Sequence, residues 1–107
     1  MIFSIIVPVF NEEKTIISIL KELKKVNFKN FEKEIIVIND GSTDNTKNLL
    51  ENNKDLFDSL HTNVKNKGKG SAVRLGLKNA NGQYIVFQDA DLEYDPNDLL
   101  KFEEVFL

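Results

Sequence analysis

Glu34-Ile35-Ile36-Val37-Ile38-Asn39-Asp40-Gly41-Ser42-Thr43-Asp44 is the stretch on which the fold turns. An apolar, β-branched run without polar alternation reads as a strand buried on both faces, the habit of parallel sheets. It breaks off at Asn39-Asp40-Gly41-Ser42, a cluster of turn formers. A short helix from about Asp44 to Asn52 follows, with Ser42 or Thr43 as its expected cap. The same order of events recurs on both sides. Met1 to Val9 is a second buried strand, after which Asn11 offers an N-cap and Glu12 and Glu13 put negative charge in the first helical turn. Ile16, Ile17, Leu20 and Leu23 then recur at helical spacing. Gln83 to Gln88 is a further buried strand. It leads into the acidic loop Asp89 to Tyr94 and a helix opened by Asp95 as cap and Pro96 at its first position.

Between these lie His61 to Lys65, a short strand that the architecture demands, and the basic, glycine-containing loop Asn66 to Gly70. Ser71 to Ala80 reads as a helix with Ala72, Val73, Gly76, Leu77 and Ala80 on one face, ended by Asn81-Gly82. Strands alternating with helices in this way predict one α/β unit over residues 1–107, a mostly parallel sheet flanked by helices. Such sheets bind ligands beyond the carboxyl ends of their strands. Each polar cluster here directly follows a strand: Asn11-Glu12, Asn39 to Asp44, Asn66 to Ser71 and Asp89 to Asp95. Four separate stretches are thereby expected to meet at one edge.

Composition narrows the chemistry. The 107 residues are 41% hydrophobic and 29% charged, as in ordinary globular domains, and the net charge of -3 speaks against nucleic acid as a partner. With no cysteine, disulfides and thiolate metal sites are excluded. The apolar run Ile5 to Phe10 contains Pro8 and is far too short to span a membrane, and no basic segment precedes it as in a secretory signal. The expected location is the cytoplasm, with attachment to the cytoplasmic membrane face left to segments outside this chain.

Asp89-Ala90-Asp91 is the strongest chemical feature. Two carboxylates two residues apart in an extended segment point the same way and can approach one hard cation. A bound diphosphate would complete the coordination. The competing reading, acidic residues serving the next helix, suits Asp95 and Asp98 better than Asp89 and Asp91. A calcium loop fails, because Tyr94 and Leu100 stand where glycine and the bidentate acid belong. Asn39 to Asp44 reads first as a capped turn, and the same segment can at once recognise a base or a ribose. Asn66-Lys67-Gly68-Lys69-Gly70-Ser71 is no P-loop, since Gly70 follows Gly68-Lys69, and Val73 breaks the dinucleotide fingerprint. A helix start with lysines nearby still attracts anions, against which stands a merely solvated loop. A receiver-type signalling domain would place a lone aspartate after a middle strand and a lysine after a later one. Asp89-Ala90-Asp91 followed by a capped helix fits that poorly.

Taken in order, these segments resemble glycosyltransferase family 2, most strongly the branch of dolichol-phosphate mannose synthases and bacterial polyprenyl-phosphate glycosyltransferases. Ile5 to Glu13, Glu34 to Asp44, Gly68 to Arg74 with Gly76-Leu77, and Gln88 to Pro96 carry the likeness. It implies a Rossmann-like GT-A fold and a nucleotide-diphosphate-sugar donor, UDP- or GDP-linked. By the same resemblance Pro8, Phe10 and Glu12 would line the nucleotide pocket, and Ile38 and Asp40 would contact the base. Asp89, Ala90 and Asp91 would hold the diphosphate, with Asp89 and Asp91 on Mg²⁺ or Mn²⁺. Two departures stand out: Asn39 replaces the usual first Asp, and Phe10 the commoner Tyr. The family inverts the sugar by in-line attack on behalf of an acceptor, here expected to be polyprenyl or dolichyl phosphate. It places the acceptor-side residues beyond position 107. The chain is accordingly expected to be the donor-binding half of such a domain, able to bind nucleotide without turnover and to self-associate through apolar surface.

Overall fold

The computed structural model describes residues 1–91 and 95–101. Four strands, β1 (Ile2–Val9), β2 (Glu32–Asp40), β3 (Ser59–Asn63) and β4 (Tyr84–Phe87), form one sheet in the order β3-β2-β1-β4. Every pairing is parallel, with Ile6 opposite Ile36 and Phe87. Helices among the described residues include α1 (Ile16–Lys25), α2 (Thr46–Glu51) and α3 (Lys69–Asn79), with short 3₁₀ turns at Lys54–Leu56 and Pro96–Leu99. Among the described residues no helix is long and apolar enough to cross a membrane.

The apolar runs Ile5 to Val9 of β1 and Ile35 to Ile38 of β2 follow from the burial of these strands on both faces. Phe3, Ile5, Val7 and Val9 pack with Ile35 and Val37 against Ile16, Ile19, Leu20 and Leu23 of α1 and Leu50 of α2. Each of those α1 side chains is fully buried, and each such burial contributes roughly 1.5–3 kcal/mol. The opposite face sets Ile6, Ile36 and Ile38 against Ala72 of α3. There Gly76 lets the helix approach closely, for a Cβ in its place would lie 2.5 Å from Ile6 Cγ2.

Several elements differ from the sequence expectation. Helix α1 begins at Ile16, not beside Asn11, because Asn11 takes a left-handed conformation (φ 52°) and commits its side chain to another loop. Helix α2 is capped neither by Ser42 nor by Thr43. Asp44 Oδ1 accepts from Thr46 N at 2.9 Å instead. Strand β3 is real but starts at Ser59, where Asp58 exchanges bonds with Ile35 (N–H to Oδ2, 2.7 Å; Asp58 N–H to Ile35 O, 2.9 Å). The buried face of α3 centres on Ala72 and Gly76 with Leu75 and Ala80 beside them, and Leu77 is turned to solvent. The helix ends at Ala80 in extended backbone, without a left-handed glycine, while Gly82 N donates to Ser4 Oγ at 2.8 Å. Strand β4 is not buried on both faces: Ile85 and Phe87 are exposed. Among the described residues it borders the sheet, and α3 sits over β1 and β2. The cap at Asp95 is as expected, with Asp95 Oδ1 accepting from Asn97 N at 2.9 Å and Pro96 next. Of the acidic loop, positions 92–94 lie outside the described residues.

Candidate functional site

The carboxyl ends of the strands surround a cleft of about 520 Å³. Strand β1 and its exit contribute Pro8, Val9, Phe10 and Glu12, and β2 contributes Asp40. Asn66, Gly68, Lys69 and Ala72 form the wall from the loop before α3 and its first turns, and Asp89-Ala90-Asp91 closes the cleft beyond β4. The polar clusters that follow strands in the sequence do meet at this edge. Pro8, Phe10, Glu12, Asp40, Asp89, Ala90 and Asp91 are brought together around one space. Ile38 is not among them: it is fully buried in the cluster beneath α3.

The backbone around the cleft is held by side chains that the sequence suggested for other duties. Asn11 clasps the loop after β2: its Oδ1 accepts from Thr43 N (2.7 Å) and Asp44 N (3.2 Å), and its own N–H donates to Ser42 Oγ (3.0 Å). Glu12 N donates to Thr46 Oγ1 and Asn45 N to Glu13 Oε2, so the exits of β1 and β2 form one unit. Burial alone would raise the Asp44 carboxyl. The hydroxyl and N–H of Thr46 and the N–H of Glu13 outweigh it and hold that carboxyl below its ordinary range. Gly41 is obligatory here, with φ 69° and a would-be Cβ 2.3 Å from Asn66 N.

Asp40 is the organiser of the opposite wall. It is almost fully buried, and its carboxylate accepts from Asn63 Nδ2 (2.9 Å), Lys67 N (3.0 Å) and Gly68 N (2.9 Å). Those bonds pin the loop that leads into α3. Strand alternation turns Asn39 to the other face; its Oδ1 accepts from Ser42 N (3.2 Å), and its amide nitrogen is buried without a hydrogen-bond partner.

At the acidic loop, Thr15 Oγ1 donates to the carbonyl of Ala90, tying the start of α1 to the segment that carries both aspartates. Asp89 Oδ1 lies 2.8 Å from Lys69 Nζ across the cleft. Nothing in the sequence singles out Thr15, and Asn66 and Lys69 suit a solvated loop there as well as a ligand wall. Among the described residues no group of three or more His, Cys, Asp or Glu side chains gathers to hold a metal alone. Asp89 and Asp91 both line the cleft and are the pair that could supply part of an oxygen shell, the rest coming from a phosphorylated ligand.

The model of the Glycosyl transferase family 2 matches residues 4–106. The poly(ribitol-phosphate) beta-N-acetylglucosaminyltransferase TarS of Staphylococcus aureus is 35% identical over 100% of this chain and 19% of its own length. A dolichyl-phosphate beta-glucosyltransferase of Drosophila melanogaster is 37% identical, over 82% of this chain and 30% of its own. The crystal structure of TarS residues 1–349 in complex with UDP-GlcNAc superimposes with a TM-score of 0.82 at 34% identity, covering 99% of this chain and 31% of that one. A mannosyltransferase from Pyrobaculum calidifontis in complex with GDP-Man and Mn²⁺ gives 0.76 at 28% identity, covering 92% of this chain and 30% of that one. The chain thus spans less than half the length of these relatives, and its sheet has the Rossmann-like GT-A architecture that the sequence led one to expect.

Proposed function

This chain belongs to glycosyl transferase family 2, and from that premise we propose that it carries the donor site of an inverting sugar transferase. The observation that supports the reading is the meeting of Asp89-Ala90-Asp91, Asp40 and the β1 exit around one cleft at the carboxyl edge of the sheet. In this reading the nucleotide lies between Pro8 and Phe10 on one side and Asp40 on the other. Phe10 is 43% exposed, which leaves its ring available to a base. Asp40 already accepts three donors, yet two carboxylate oxygens offer about four lone-pair sites, so one further N–H from a base can be received. Glu12, which also lines the cleft, accepts in this reading from a ribose hydroxyl.

Asp89 and Asp91 fit a Mg²⁺ or Mn²⁺ ion as a carboxylate pair that leaves most of the coordination shell to a diphosphate and water. Such an ion, when bound, neutralises charge gathering on the departing nucleotide diphosphate. The protein's own part is positional. Thr15 holds the Ala90 carbonyl, and Asp40 holds the Lys67-Gly68 backbone, so both walls are fixed before a ligand enters. The acceptor that we propose for the whole protein is a polyprenyl or dolichyl phosphate. An acceptor already ionised at neutral pH asks little of a general base.

Titration calorimetry of the chain with UDP and with GDP, each with and without Mn²⁺, tests the donor site. Binding of one nucleotide, strengthened by Mn²⁺, is expected; no heat with either would overturn it.

A further inference from the structure

We propose that Lys69 is a built-in counter-ion: its ammonium occupies the cation position beside Asp89 until metal and nucleotide arrive together, and then turns to the diphosphate. The inference rests on the donor-site reading and adds to it a residue that sets the order of binding. Lys69 Nζ lies 2.8 Å from Asp89 Oδ1, and both residues line the cleft. A divalent cation taking that oxygen meets a positive charge already there, and like charges repel at such range. The lysine side chain is 66% exposed, so displacing it strips little packing. The backbone next to it is fixed, since Lys67 N and Gly68 N are held by Asp40 and Lys69 opens α3. Only the four-carbon stem has to swing.

Charge balance favours the same sequence of events. Lys69 pairs with Asp89 at 2.8 Å. A divalent ion bound at that carboxylate takes over the pairing, and a nucleotide diphosphate then brings negative charge that the displaced ammonium can meet. Metal alone therefore competes with Lys69, whereas metal with nucleotide recruits it. Coupling of this kind is reciprocal, so each ligand raises the affinity for the other.

Mn²⁺ binding to the chain, followed by the electron paramagnetic resonance signal of free Mn²⁺, tests this, first with the metal alone and then with UDP or GDP added. Lys69→Met is expected to bind Mn²⁺ alone on the order of fivefold more tightly than the natural chain, the size of effect an exposed ion pair supports. It should lose a comparable factor in nucleotide affinity measured with Mn²⁺, so that the coupling shrinks from both sides. Lys69→Arg, which keeps the charge, is expected to restore the natural Mn²⁺ affinity. Lys65→Met, which removes an equal charge from outside the cleft, is expected to leave it unchanged. Thermal unfolding verifies that each variant is folded. Mn²⁺ affinity that is unaltered or weaker in Lys69→Met, or raised equally in Lys65→Met, overturns the inference while leaving the donor site standing. Failure of the natural chain to take up Mn²⁺ even with nucleotide overturns the donor site itself, and this inference with it.

Discussion

At the amino end of the sheet Phe3 packs between Phe28 and Phe31 with ring centroids 4.7 and 4.5 Å away, and Tyr84 meets Phe3 and Phe31 at 5.5 Å. At the carboxyl end Phe10 stands nearly half exposed beside a cleft. The polar groups differ in the same sense. Glu34 at the amino end receives Ser4 Oγ (2.9 Å), Asn81 N (3.0 Å) and Asn81 Nδ2 (2.8 Å). The Lys33 ammonium donates to the carbonyls of Leu23, Lys24 and Val26 and so closes the end of α1. Its pKa is lowered by burial first and by the charge of Lys24 second, with Asp58 opposing. Asp89 at the carboxyl end meets instead a mobile-stemmed lysine from across an open space. The amino end packs its rings and polar groups away, whereas the carboxyl end, though braced by its own bonds, leaves the Phe10 ring exposed and Asp89 lining a cleft, at the edge where parallel sheets bind ligands.

The comparison breaks most readily at Phe3. Its ring is fully buried at the centre of the aromatic group, and Phe3→Ala is expected to lose about 3–5 kcal/mol in urea unfolding. Nucleotide affinity, measured at a temperature where the variant remains folded, should hardly change. A parallel fall in affinity would show that the two ends are not separate in their effects.

Asp91→Ala should do the reverse. The residue is exposed, so stability is expected to move by less than about 0.5 kcal/mol. The Mn²⁺-dependent part of nucleotide binding should fall by roughly a hundredfold or more, about 2.7 kcal/mol, as expected for loss of a direct metal ligand. Unchanged Mn²⁺ dependence in calorimetry would remove Asp91 from the metal site.

This division also explains which parts of the molecule were legible in the sequence. Runs such as Ile35 to Ile38 announce a doubly buried strand because burial on both faces leaves no polar position, and the parallel order follows from the intervening helices. The convergence of Asp40 with Asp89 and Asp91 was legible for the same reason, since topology sends every strand's exit to one edge. What escaped was the use of side chains across loops. Asn11, Ser42 and Thr43 are good caps by local chemistry, yet they bond to each other over some 30 residues of chain, and no local rule distinguishes those outcomes. The same limit applied to β4. Its apolar run resembles a central strand, and only its place at the border of the sheet leaves Ile85 and Phe87 uncovered.

Asp40 sits where the two functions overlap. Asp40→Ala removes the acceptor of Asn63 Nδ2, Lys67 N and Gly68 N. With water able to reach the loop, a loss of about 1–2 kcal/mol in stability is expected. Nucleotide affinity should fall too, even without Mn²⁺, because one wall of the cleft loses its anchor. Loss of affinity seen only in the presence of Mn²⁺ would instead place Asp40 on the metal side of the site.

The smallest effect is expected at Glu34, and its pH dependence sharpens the contrast. Burial would raise this carboxyl; the side chain and N–H of Asn81 and the hydroxyl of Ser4 together outweigh it and lower the pKa from 4.5. A carboxyl with a folded pKa below its unfolded one contributes stability that is present above the unfolded value and lost as pH falls through the folded one. Glu34→Gln should therefore be less stable than the natural chain at pH 7, by no more than about 1 kcal/mol. The gap should close as the pH falls through 4.5 and on below it, where first the unfolded and then the folded carboxyl takes up a proton. Urea unfolding of both proteins at several pH values reads the gap directly. A gap that stayed constant would mean that Glu34 acts through the shape of its contacts with Ser4 and Asn81, and that the amino end owes its stability to packing alone.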